Sequence, residues 1–124
     1  MPQVPLFDTE ALMENLGGDM SMLGEVILLC RDNDAPRLLS DLAQGVRDGD
    51  SESVSKAAHA LKGMVGAFNA TEAWNAAKLL EMTARAGKAE ALKEEADEFV
   101  RKMRALVISL ENFAGTDHRD ITWI

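Results

Sequence analysis

Cysteine, proline and aromatic residues are scarce in this sequence of 124 residues. It holds one cysteine, three prolines and no tyrosine. The single Cys30 excludes an internal disulfide, and it suits a reducing compartment as a small buried side chain. No apolar run approaches the ~18–20 residues that a membrane-spanning helix needs. We therefore expect a cytoplasmic protein that has no membrane segment.

An excess of positive charge is also absent, because the formal net charge is −8. Nucleic-acid affinity comes mainly from lysine and arginine on phosphates, so this balance argues against a nucleic-acid partner. Alanine, leucine, glutamate, lysine and methionine are common, and runs of β-branched residues are few. That composition favours helices over sheets. The sequence predicts an all-α protein.

Aspartates and glycines divide the chain into six predicted helices. Four aspartates can each cap a helix N-terminus: Asp8, Asp19, Asp34 and Asp50. The predicted helices span about residues 8–16, 19–33, 34–49, 50–68, 70–86 and 88–113. Short connections place successive helices antiparallel, so the last four should form an up-and-down four-helix bundle flanked by two short N-terminal helices. We expect one domain over residues 1–114 and a flexible tail over residues 115–124.

The fourth predicted helix turns one face to the core and carries a histidine on the other. At about 100° per residue one apolar stripe forms, made of Val54, Ala57, Ala58, Leu61, Val65 and Phe68. His59 lies about 140° from the centre of this stripe, so its ring should project into solvent. The same outer sector holds Ser55, Lys62, Gly63 and Gly66.

Gly63 and Gly66 are unexpected there, since each glycine inside a helix costs about 1 kcal/mol relative to alanine. One interpretation is that they let a neighbouring helix approach closely, but such glycines belong on the buried face. The other is that they clear the approach of a bulky partner to His59. Lys62, one turn from His59, adds a positive charge. An accessible imidazole, open space and a cation suit a histidine that carries a phosphoryl group.

The run His59-Ala60-Leu61-Lys62-Gly63 resembles the signature of the histidine-containing phosphotransfer (HPt) domain of multistep two-component phosphorelays. The likeness extends over about residues 6–113 and includes "GGD" at 17–19 and "LLE" at 79–81. It implies that His59 is the phosphoacceptor, that Lys62 assists it, and that Gly63, Gly66 and Glu81 support the site. From its helical position alone, Glu81 could equally be a solvated carboxylate. Where the family commonly has a further glycine this chain has Asn69, which tolerates the same backbone conformation.

The resemblance also implies partners and excludes some activities. The partners would be response-regulator receiver domains, of a hybrid histidine kinase and of a downstream regulator, and the receiver would bring the Mg²⁺. The chain itself should need no cofactor and have no kinase activity. For the docking surface we expect the set Ala11, Asn15, Leu28, Asp32 and Ser55.

Two other functions remain open from the sequence. One is an inert helical adaptor that binds receivers without transfer, against which the intact His59, Lys62 and Gly63 argue. The other is an enzyme that uses His59 as a general base, which would need a pocket with a second polar group. His118 lacks the surroundings of His59 and is expected to be a solvated tail residue.

Overall fold

Helices make up nearly all of the regular structure. The computed structural model describes residues 6–29 and 34–114, without the side chains of residues 20, 28, 29 and 114. These ranges contain no strand, and their α-helices are α1 (Thr9–Asn15), α2 (Met20–Leu29), α3 (Ala35–Asp48), α4 (Ser51–Ala67), α5 (Thr71–Arg85) and α6 (Leu92–Ala114). A 3-10 turn, Ala89–Ala91, precedes α6. None of the described helices is long and apolar enough to cross a bilayer. The all-α prediction is confirmed.

Side-chain caps set three of the predicted helix starts. Asp8, Asp19 and Asp50 each accept a hydrogen bond from the backbone N–H three residues later, at 3.0–3.2 Å. Asp34 does stand at the N-cap position of α3, as predicted, but the expected side-chain cap is wrong. Its backbone is already helical (φ −84°, ψ −43°), so its side chain makes no capping bond, and α3 begins with Pro36 in its first turn.

Two residues with left-handed backbones separate the central helices. Gly49, at φ 66°, ends α3 and lets the chain turn directly into α4. Asn69, at φ 57°, follows α4 and turns the chain into α5. Asparagine adopts this conformation more readily than most side chains, which is the property expected of Asn69 from the sequence.

Helices α3 to α6 form an antiparallel bundle in which each helix packs against its two neighbours, so α4 stands diagonally from α6. The stripe predicted for α4 is the core face, and all six of its residues are at most 4% exposed: Val54, Ala57, Ala58, Leu61, Val65 and Phe68. Opposite them lie fully buried side chains such as Leu80 on α5 and Phe99 on α6. The four-helix-bundle prediction is confirmed.

The N-terminal segment closes one end of this bundle. The N–H of Asp8 donates to the carbonyl of Asn69 at 3.0 Å, which ties the start of α1 to the α4–α5 turn. Phe7 packs edge-on against Phe113 of α6, with ring centroids 5.6 Å apart. Leu12 of α1 is buried. The N-terminal helices therefore flank the bundle, as expected, and the main packing partner of α2 is α6.

Candidate functional site

His59 stands in the middle of α4 and faces away from the bundle core. Its side chain is 65% exposed, whereas its neighbour Ala58 is buried completely. The helical period accounts for this difference, because adjacent residues are rotated by about 100° around the axis. The ring is thus presented to solvent on a rigid helix rather than on a loop.

A buried carboxylate from α5 holds one edge of this ring. Glu81 is only 3% exposed, yet its Oε2 atom lies 2.9 Å from Nδ1 of His59. Its other oxygen, Oε1, accepts a hydrogen bond from Nζ of Lys62 at 2.8 Å. A guanidinium nitrogen of Arg85, one turn along α5, lies 2.9 Å from Oε2. Three side chains therefore converge on one carboxylate at the α4–α5 interface.

These contacts keep Glu81 ionised. The hydrogen bond from Lys62 is the largest cause of a pKa below the ordinary range for this carboxyl; burial opposes the shift, and His59 and Arg85 reinforce it. An ionised carboxylate is an acceptor only, so the hydrogen between it and His59 must reside on Nδ1. The lone pair of the neutral ring then lies on Nε2, the nitrogen that Glu81 does not contact.

The charges around His59 leave a local positive excess. Lys62 and Arg85 contribute two positive charges against the single negative charge of Glu81. The chain as a whole carries −8. An anion approaching Nε2 therefore meets a favourable local field on a protein whose net charge repels it.

The two glycines of α4 differ in their surroundings. A Cβ atom built on Gly63 meets nothing within 4 Å, which agrees with an open approach to His59. A Cβ on Gly66 would lie 3.1 Å from Cδ1 of Trp74. The expectation that both glycines clear space on the solvent side is therefore wrong for Gly66, whose missing side chain is replaced by the indole of the adjacent helix.

Three of the five residues predicted for docking have described side chains, and they lie on two helices, α1 and α4. Ser55 is half-buried on α4, and its Oγ accepts a long hydrogen bond from Nε of Arg85 at 3.4 Å. Ala11 is half-buried and Asn15 is exposed on α1. The hydrogen bond that ties the start of α1 to the bundle is made at Asn69, which lies about 15 Å from His59 along the axis of α4. The described contacts do not bring either residue to the ring.

Four predictions lie outside the described residues. They concern the side chain of Leu28, the residues Cys30 and Asp32, and the tail with His118. For α2 itself the structure gives a main contact with α6, on the opposite side of the bundle from α4. The docking role of Leu28 and Asp32 stays a prediction.

Sequence reasoning missed Arg85 and Trp74 as members of the site. Arg85 could have been found, because it lies four residues after Glu81 on one helix and such pairs meet on the helix surface. No local signal relates Trp74 to Lys62, since the two residues lie on different helices. Within the described ranges, no group of three histidine, cysteine, aspartate or glutamate side chains could hold a metal ion.

Comparison with protein families identifies the family to which this helical bundle and its histidine site belong. The family model described as the Hpt domain matches residues 33–115, about two thirds of the chain. That range contains α3 to α6, and with them His59, Lys62 and Glu81. No curated protein and no solved structure matches the chain significantly. The chain belongs to the Hpt domain family.

Proposed function

We propose that this protein is a phosphocarrier in which His59 accepts a phosphoryl group from a receiver-domain aspartate and passes it to another receiver. Hpt domains have a phosphotransfer role in phosphorelay signalling and interact with response-regulator receiver domains. The observation that carries the proposal is the contact of Nδ1 of His59 with the buried Glu81 at 2.9 Å. It leaves Nε2 as an exposed nucleophile on a fixed ring.

The chemistry requires no proton to leave the ring during acceptance. The Nε2 lone pair attacks the phosphorus of the aspartyl phosphate, the bond from phosphorus to the carboxylate oxygen breaks, and the aspartate departs as a carboxylate. The ring then carries phosphate on Nε2 and hydrogen on Nδ1, so it becomes cationic. Glu81 offsets this charge at 2.9 Å. The reverse sequence hands the group to the next aspartate.

Lys62 and Arg85 serve the phosphoryl group through charge. Both are anchored on Glu81, so the positive excess stays close to the ring without reorganisation when the partner arrives. We expect catalysis to consist mainly of positioning and charge stabilisation, with the Mg²⁺ and the remaining catalytic groups supplied by the receiver. The chain would then have no kinase activity of its own, and its partners would be a hybrid histidine kinase and a downstream regulator in the cytoplasm.

The test is phosphate transfer from a panel of purified receiver domains, each phosphorylated with acetyl phosphate and Mg²⁺. Wild-type protein should acquire label from at least one receiver, and phosphorus NMR should place the phosphate on Nε2. His59→Gln should keep its helical circular dichroism, because the side chain is exposed, and should acquire no label.

His118→Gln removes the other histidine of the chain and is the matched control, expected to label like wild type. Undiminished labelling of His59→Gln contradicts the proposal. Receiver binding without labelling of the wild-type protein would favour the inert adaptor instead.

A further inference from the structure

Trp74 lies where α5 meets α4, the helix that carries His59. It is half-buried, with its Cδ1 edge in the space that a side chain at Gly66 would fill. The ammonium of Lys62 lies 5.7 Å from the ring centroid, and that of Lys78 lies 5.2 Å from it. Both distances fall within the roughly 6 Å over which a cation is attracted to an aromatic face.

We propose that Trp74 is a positioning residue for phosphotransfer: its ring face holds the ammonium of Lys62 against Oε1 of Glu81, and Gly66 is the opening that admits the ring. The part of this inference that concerns transfer rests on the proposed function. The part that concerns the position of Lys62 does not.

Lysine by itself is poorly suited to hold a fixed position. Its four-carbon chain carries about 2 kcal/mol of rotamer entropy, and exposed lysine–carboxylate pairs contribute little because that entropy opposes them. Lys62 is different, because its side chain is only 22% exposed and its ammonium has two neighbours, the carboxylate at 2.8 Å and the indole. The ring removes alternative positions for Lys62, so the ammonium stays on Glu81.

The two lysines at Trp74 provide an internal comparison. Lys78 contacts the same ring, but the side chains that contact Glu81 in the described structure are His59, Lys62 and Arg85. Lys78 is exposed and four residues from Trp74 on α5. If Trp74 acts through Lys62, removing Lys78 should leave Glu81 and His59 undisturbed.

The glycine at position 66 of α4 leaves the space that the indole of Trp74 occupies. Alanine there would place a Cβ 3.1 Å from Cδ1 of Trp74, closer than ordinary contact, so the indole would have to move by a few tenths of an ångström. That movement displaces the ring on which Lys62 rests. Alanine at Gly63 meets no atom within 4 Å and is the matched control on the same helix.

The experiment measures the pKa of the Glu81 carboxyl by carbon NMR, a readout that needs no receiver. Lys62→Met should raise this pKa toward its ordinary value, because the hydrogen bond from Lys62 is the largest cause of its lowering. Trp74→Leu should raise it too, Trp74→Phe should retain most of the lowering, and Lys78→Met should change nothing. Trp74→Leu should have no further effect when Lys62 is already methionine.

Gly66→Ala should raise the pKa of Glu81 in the wild-type background and not in the Trp74→Leu background, whereas Gly63→Ala should leave it unchanged. An unchanged pKa of Glu81 in folded Trp74→Leu overturns the proposal. So does a full effect of Trp74→Leu in the Lys62→Met background, since Trp74 would then act on packing alone.

Fluorinated tryptophans provide a second test of the cation–π contact that still applies if Trp74→Leu does not fold. In a Trp123→Phe background, one to four fluorines on Trp74 weaken the negative ring face with little change of shape. The pKa of Glu81 should rise progressively, and its independence of fluorine number overturns the proposal. Transfer from a receiver should slow about two- to five-fold across the series. If the pKa of Glu81 rises with fluorine number but the transfer rate does not change, Trp74 positions Lys62 without affecting transfer. That result overturns the part of the proposal that concerns phosphotransfer.

Discussion

Nδ1 of His59 lies 2.9 Å from Oε2 of Glu81, although 22 residues of sequence separate them. The contact exists because α4 and α5 pack side by side as antiparallel neighbours. One carboxylate, buried at the interface, thereby sets the hydrogen on the ring and anchors the two nearby cations.

Glu81→Gln should reduce stability at neutral pH and lose this effect in acid. The folded-state pKa of Glu81 is lowered, so its contribution is fully present above the unfolded pKa and disappears as pH falls through the folded pKa. Hydrogen bonds to a charged group suggest a loss of about 1–3 kcal/mol near pH 7. Urea unfolding of both proteins between pH 2 and 7 measures the difference.

The matched control is Glu25→Gln, at an exposed position in the middle of α2, which should change stability little at any pH. A stability difference between wild type and Glu81→Gln that stays constant down to pH 2 would contradict the role of the ionised carboxylate.

Lys62→Ala should slow phosphate transfer by roughly three- to ten-fold without unfolding the bundle. The variant removes one of the two cations that give the site its positive excess, and a charge-assisted contact contributes on this order. Transfer rates should be compared from low to high salt, since salt screens such contributions. Lys78→Ala is the control, and a wild-type rate for Lys62→Ala at every salt concentration would assign Lys62 no part in transfer.

Gly63→Ala should raise stability by about 1 kcal/mol, because alanine is the better helix former and its Cβ meets no neighbour. Gly63→Gln should keep the helix yet slow transfer, since a long side chain one turn from His59 obstructs a docking receiver. Thermal melts and transfer rates measure the two effects. The control is Ala67→Gln, exposed in the last turn of α4. Equal transfer by both glutamine variants would remove the steric argument for Gly63.

Gly45→Ala should destabilise the protein by about 1–3 kcal/mol despite the better helix propensity of alanine. Its Cβ would lie 2.9 Å from Cγ2 of Val54 and 3.2 Å from the backbone nitrogen of that residue, at the close crossing of α3 and α4. Urea unfolding should show the loss, and the cost of Gly45→Ala should be smaller when it is measured in a Val54→Ala background, where Cγ2 is absent. A Gly45→Ala variant as stable as Gly63→Ala would contradict this prediction, because it would show that α3 and α4 can move apart at little cost.

The sequence by itself determined the helices and the direction of each side chain around its own axis. Aspartates at helix starts and the left-handed Gly49 and Asn69 locate the turns, and the spacing of apolar residues points His59 outward. These properties depend on neighbours within four residues along one helix, where the 3.6-residue period fixes the geometry. The exception, Asp34, has a helical backbone that its residue type does not reveal.

Only the tertiary structure decided what each outward residue meets. From the sequence, Glu81 could equally have been a solvated carboxylate, and its burial at the α4–α5 interface results from the distance between two helices. The same packing of α4 against α5 decides how the two glycines differ. The space beside Gly63 is open, whereas the space beside Gly66 is occupied by Trp74. Periodicity gives an angle on one helix but not the separation of two. That separation is set by how residues on different helices pack against one another, as where the missing side chain of Gly45 on α3 lets Val54 of α4 approach closely.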